Sequence, residues 1–143
     1  MAIEENKALV RRFVERFWNE GNTAAANELM AHDAEIHMPT GETVDLDGLK
    51  GFSVAFRASF PDWHSTFEEL VAEGDRVAER WTGRGTHRGE LWGIPPTGKR
   101  VEVAGSVFYR IAGGKIVEFR GQLDMTGLMQ QLDVVSPPQP AEA

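Results

Sequence analysis

Apolar residues recur at helical spacing along the first third of the chain. Ile3, Leu9, Val10, Phe13, Val14, Phe17 and Trp18 form one stripe over residues 3–20, with Glu, Lys and Arg between them, and predict an amphipathic helix. Gly21-Asn22 ends it, and Thr23 is placed to cap a second, shorter helix, Ala24 to Met30. Ala34 to Met38 is a short strand candidate, broken by Pro39-Thr40-Gly41. Asp47 is placed to cap a third helix, Leu49 to Phe60, in which Leu49, Phe52, Ala55, Phe56 and Phe60 keep the helical period until Pro61-Asp62 stops it.

The second half changes period. Trp63 to Ala72 and Val77 to His87 read as strands joined by a tight turn at Glu73-Gly74-Asp75-Arg76. A loop rich in Gly and Pro follows, from Arg88 to Lys99. Val101 to Ile111 and Ile116 to Leu123 form a second hairpin about Ala112-Gly113-Gly114-Lys115, and a short amphipathic segment, Met125 to Leu132, closes the pattern. Helices followed by a meander of long antiparallel strands predict an α+β fold, a curved sheet that buries one face under the N-terminal helices. Residues 1–135 read as one domain, and Ser136 to Ala143 as a Pro-rich disordered tail. A sheet curled around helices leaves an open-ended cavity, and the four Trp and eight Phe suffice to line it.

Composition narrows the function. The 143 residues are 41% hydrophobic and 26% charged, a globular balance with one sizeable core. Cysteine is absent, which excludes disulfide and thiolate chemistry and agrees with a reducing, cytoplasmic setting. The N-terminal run MAIEENKALVRRF has no apolar core of a secretory signal, and no apolar run reaches membrane-spanning length. The net charge of −7 disfavours nucleic acid and anionic membranes as partners; the cavity makes a hydrophobic small molecule the expected one.

The candidate chemistry centres on Asp124, an acid between Leu123 and Met125 at a strand-to-helix junction. It is either the N-cap of the last helix or a carboxylate in a poorly hydrated pocket, where desolvation would raise its pKa toward a value useful for moving protons. His32, His37, His64 and His87 are spread over loops and strand ends, so no metal site is expected. His37 is expected at the cavity mouth, His87 as a structural residue at a hairpin end, and Trp63 and Trp92 at the pocket entrance. Strand alternation groups Arg120, Gln122 and Asp124 on one face.

Several segments resemble a known group. RRFVERFWNEGN (11–22), the long run from Phe60 to Val101 that contains GTHRGELWGIPPTGK, FYRIAGGKIVEF (108–119) and LDMTGLMQQL (123–132) are similar to the SnoaL-like polyketide cyclases and ester cyclases of the nuclear transport factor two-like superfamily. The resemblance implies a cone-shaped α+β fold with a deep pocket and a homodimer formed through the sheet. It also implies ring closure by intramolecular aldol condensation without metal or cofactor. It assigns proton transfer to Asp124, in the pattern Asp-x-x-Gly-Leu-x-x-Gln-Leu.

The related limonene-type epoxide hydrolases place an Arg at Arg80 and acids at two further positions. Thr82 replaces one of those acids here, which argues against epoxide opening. Where ester cyclases often read Glu-His-Trp, this chain has Glu118-Phe119-Arg120. The resulting expected site is Asp124 and Arg80 as catalytic groups, with His37, Trp63, Thr82, Arg120 and Gln122 binding substrate. Arg80 either pairs with Asp124, which would lower its pKa, or binds the substrate's anion and leaves the aspartate basic. Trp81, next to Arg80, then faces outward as a dimer contact. The competing reading is a hydrophobic ligand-binding or dimerisation module of the same fold, without catalysis.

Overall fold

The computed structural model describes residues 2–134; the Pro-rich tail expected from Ser136 lies outside the described residues. The chain runs α1 (Ala2–Phe13), a π-helical turn (Val14–Asn19), α2 (Ala24–Leu29), β1 (Met30–His37), β2 (Thr43–Val44), α3 (Leu46–Ser59), β3 (His64–Glu73), β4 (Arg76–Thr86), β5 (Arg100–Ala112), β6 (Lys115–Leu123) and α4 (Met125–Gln131). The six strands form one sheet in the order β2-β1-β6-β5-β4-β3. Neighbours are antiparallel except β1 and β6, which pair in parallel. The expected α+β architecture is present: a curved sheet with the N-terminal helices on its inner face. Among the described residues no helix is long and apolar enough to cross a membrane.

Four local expectations change. The single helix over residues 3–20 is α1 followed by a π turn, in which Glu20 N donates to Glu15 O five residues back. β1 starts at Met30 rather than Ala34. A register irregularity between Met30 and Glu35 interrupts its alternation, so the first half carries no period-two signal. The cap of α3 is Asp45, whose carboxylate accepts from Gly48 N at 2.8 Å, not Asp47. Thr23 makes no capping bond either; Asn22 Oδ1 accepts from Ala24 N at 3.1 Å.

Two buried clusters fill the concave side. One joins Leu9, Val10, Phe13 and Phe17 to Ile36, Val77, Tyr109, Ile116 and Phe119. The other joins Phe56, Phe60 and Trp63 to Val101, Val103, Leu128 and Leu132, so α3 and α4 cover the far end of the sheet. Between them the inner face of β4 and β5 is set by parity. Val77, Glu79, Trp81 and Gly83 point in; Ala78, Arg80, Thr82 and Arg84 point out.

Candidate functional site

Where the two clusters meet, the packing leaves a cavity. Its volume, counted out through the open mouth, is about 560 Å³. Trp18, Phe52, Phe56, Trp63, Trp81 and Phe119 give it an aromatic wall, with Ser65, Glu79, Tyr109 and Gln122 as polar members. Two close approaches keep it open. A Cβ on Gly83 would lie 2.1 Å from the Trp63 ring, and one on Gly105 2.2 Å from the Trp81 ring. The missing side chains let the two indoles pack directly onto the strands at these positions, edge to face with one another at 73°. The π turn aims Trp18 at the same space, and Arg57 of α3 fixes its end by donating to Trp18 O at 2.9 Å and Asn19 O at 3.0 Å.

Glu79 is the only carboxyl among the described residues that line this cavity, and no Lys or Arg lines it. It is 3% exposed. Tyr109 stands diagonal to it across β4 and β5, since Glu79 pairs with Val107 and Val77 with Tyr109. The Tyr109 hydroxyl donates to Glu79 Oε1 at 2.7 Å. Burial pushes the Glu79 carboxyl up to about 7, partly opposed by that hydrogen bond, which favours the ionised form. Burial first, and then the neighbouring carboxylate, hold the Tyr109 phenol well above its ordinary value. A carboxyl poised near neutrality in an apolar cavity can take a proton and return it.

The residues expected to form the site are dispersed. Trp63 and Gln122 line the cavity, Trp63 buried and Gln122 exposed. Asp124 does not line it: the residue is exposed, and its carboxylate caps α4 by accepting from Gly127 N at 2.8 Å. A Cβ on Gly127 would sit 2.2 Å from Asp124 Oδ2, so the Asp-x-x-Gly spacing is a capping requirement. The poorly hydrated setting expected for Asp124 is found at Glu79. We accordingly expect Asp124→Asn, which retains a cap acceptor, to leave turnover and stability nearly unchanged. Asp124→Ala should lower stability by about 1 kcal/mol, read from urea unfolding.

Arg80 and Trp81 reverse their expected faces. Arg80 is on the convex side, with Nε 3.3 Å from Glu69 Oε1, and is far more exposed than a buried enolate-binding group could be. Trp81 is on the concave side, so it cannot be an outward dimer contact. The outward row is instead Val71, Ala78, Phe108 and Arg120, where Phe108 is 58% exposed. Thr82 and Arg120 share that convex face. Arg120 bonds Glu118 and lies 3.4 Å from Glu35, while His37 pairs with Glu35 at 2.7 Å and with Thr43 at 3.2 Å, away from the cavity. The physical reason is parity: β4 turns inward the positions that carry Val77 and Trp81, and Arg80 is one step out of phase with them.

His87 is fully buried, its Nδ1 bonded to Thr97, and ties the Gly/Pro-rich loop to the end of β4. Trp92, expected at the entrance, is exposed and does not line the cavity. Among the described residues no three His, Cys, Asp or Glu side chains converge as metal ligands. Glu79 and Tyr109 are the members that sequence reasoning missed. The available signal was the apolar parity Val77-x-Glu79-x-Trp81, which puts an acid on the inner face of a strand.

A family model for SnoaL-like polyketide cyclases matches residues 8–132. The chain is 31% identical over 129 residues to aklanonic acid methyl ester cyclase DauD of Streptomyces sp. (strain C5), covering 87% of this chain and 79% of DauD. Among solved structures it is similar to IdmH of Streptomyces antibioticus, a proposed polyketide cyclase. The identity is 33% at a TM-score of 0.81, over 90% of this chain and 99% of IdmH. It is also similar to AclR of Streptomyces galilaeus, a proposed hydroxylase, at 29% identity and a TM-score of 0.84, over 97% and 91%. One fold thus carries more than one proposed reaction, and the site must decide between them.

Proposed function

This chain belongs to the SnoaL-like polyketide cyclase family, and from that premise we propose that it closes or isomerises a neutral, hydrophobic carbonyl compound by acid–base catalysis inside the aromatic cavity, with Glu79 moving the proton. The observation that carries this reading is the Glu79 carboxyl, buried among aromatic rings and pushed up to about 7. In an aldol closure, the Glu79 carboxylate takes a proton from the carbon beside one carbonyl. The resulting enolate carbon bonds to a second carbonyl carbon of the same molecule, and the Glu79 carboxylic acid returns the proton to the new alkoxide. Mass and oxidation state are unchanged. A carboxylate at its ordinary pKa would be a weak base for this step, and desolvation narrows that gap. With no cationic side chain in the wall, an anionic substrate would lack a partner, so the neutral form is the one that fits.

The test is to offer the protein aklanonic acid methyl ester and a panel of neutral keto esters and follow isomer formation by chromatography and mass spectrometry. The expected result is a product of unchanged mass, with kcat/KM rising with pH through an inflection near the Glu79 value of about 7. Saturable binding of these compounds with no product would favour the non-catalytic ligand-binding reading. Turnover with no inflection in that range would remove Glu79 from the mechanism.

A further inference from the structure

Ser65 is a further polar group of the cavity wall, buried and apart from the Glu79–Tyr109 pair. It is 8% exposed, on β3, and pairs in register with Gly83, four residues along β4 from Glu79. Four residues of strand span about 13 Å, so Ser65 and Glu79 mark opposite ends of the cavity, with the Trp81 indole between them. Its position is tightly held. Ser65 N donates to Asn19 Oδ1 at 2.7 Å, and Asn19 Nδ2 donates back to Ser65 O at 3.0 Å. Asn19 is the last residue of the π turn, whose end Arg57 fixes. The Ser65 hydroxyl oxygen accepts the indole N–H of Trp63 at 3.1 Å. That bond occupies a lone pair and polarises the O–H, whose own proton has no acceptor among the described residues.

We propose that Ser65 is the anchoring donor of this cavity: its hydroxyl gives a hydrogen bond to a neutral carbonyl or ether oxygen at the end of the ligand remote from Glu79. This choice of anchor sets which carbon of the substrate faces the carboxyl. The inference rests on the cavity being the substrate site, and its test is therefore one of binding alone.

Acetophenone and ethylbenzene have nearly the same shape, and only the first offers an oxygen. Their affinities are measured by NMR titration of the tryptophan indole N–H signals at about pH 8.5. There Glu79 is mostly ionised and can only accept, so a preference for the ketone reports a different donor. The expected result is a preference for acetophenone of roughly three- to tenfold in the wild type, the range of one neutral hydrogen bond. Ser65→Ala should abolish the preference and leave ethylbenzene affinity unchanged, whereas a collapsed cavity would weaken both ligands. Ser65→Cys, close in shape and a poor donor, gives the same reading if the alanine variant does not fold. A preference that survives in these variants overturns the role of Ser65. Binding of neither compound by the wild type overturns it together with the substrate-site reading. A Ser65-dependent preference in a protein that turns over nothing leaves the anchor standing and removes only the catalytic role of Glu79.

Discussion

Glu79→Gln is expected to lower turnover by roughly a hundred- to ten-thousandfold, the range supplied by a positioned acid–base group. Gln keeps the shape of the side chain and can still bond the Tyr109 hydroxyl, so the cavity and its apolar contacts are retained. Ligand affinity should change far less than rate, which separates loss of the base from loss of the fold. The neighbouring phenol supplies an internal check. The Tyr109 hydrogen bond favours the ionised carboxylate, so Tyr109→Phe should push the Glu79 pKa still higher and shift the inflection of the pH–rate profile upward. A profile that stays in place would mean that some other group is being titrated. Turnover by Glu79→Gln equal to that of the wild type would end the proposed mechanism outright.

The same carboxyl should write its signature on stability. Its folded pKa is raised from an ordinary 4.5 to about 7. Below the ordinary value it is protonated in both states, and its full contribution is present. Between the two values the unfolded chain releases a proton that the folded chain retains, so stability falls as pH rises. Above the folded value the loss levels off at roughly 3 kcal/mol. Asp62 and Glu118 act in the opposite sense. Hydrogen bonds from Thr86 hold the first below its ordinary range, and Arg120 and Arg110 hold the second below its own. Their contributions are lost only as pH falls below the usual carboxylate values. Urea titrations of wild type and Glu79→Gln should thus diverge between about pH 5 and pH 7.5, the variant becoming relatively more stable as pH rises. Parallel curves across that window would show that Glu79 ionises as freely in the folded protein as in water.

The placement of this acid explains what a reading of the chain alone could reach. The hairpins at residues 73–76 and 112–115, the amphipathic stripes of α1 and α3 and the change of period after Pro61 are local. Each depends on residues within one or two turns or on a strand and its immediate partner, and each was legible. The capping alternative for Asp124 was legible for the same reason, because cap and capped amide are three residues apart. Long-range pairing was not. Nothing within residues 30–37 says that they lie parallel to β6, more than eighty positions away.

The function turned on a distinction of that second kind. Alternation along β4 separates Glu79 from Arg80, but which of the two is inside depends on the side that α1, the π turn and α3 cover. Burial of Glu79 is in turn the work of rings brought together from helices and strands across the chain. The sequence by itself determined the α+β class, the order of helices and strands, and the family resemblance, because side-chain periodicity and turn chemistry act over short stretches. Only the tertiary structure decided that the poorly hydrated carboxyl is Glu79 and that Asp124 is an exposed cap, because desolvation is a property of everything that surrounds a group in space.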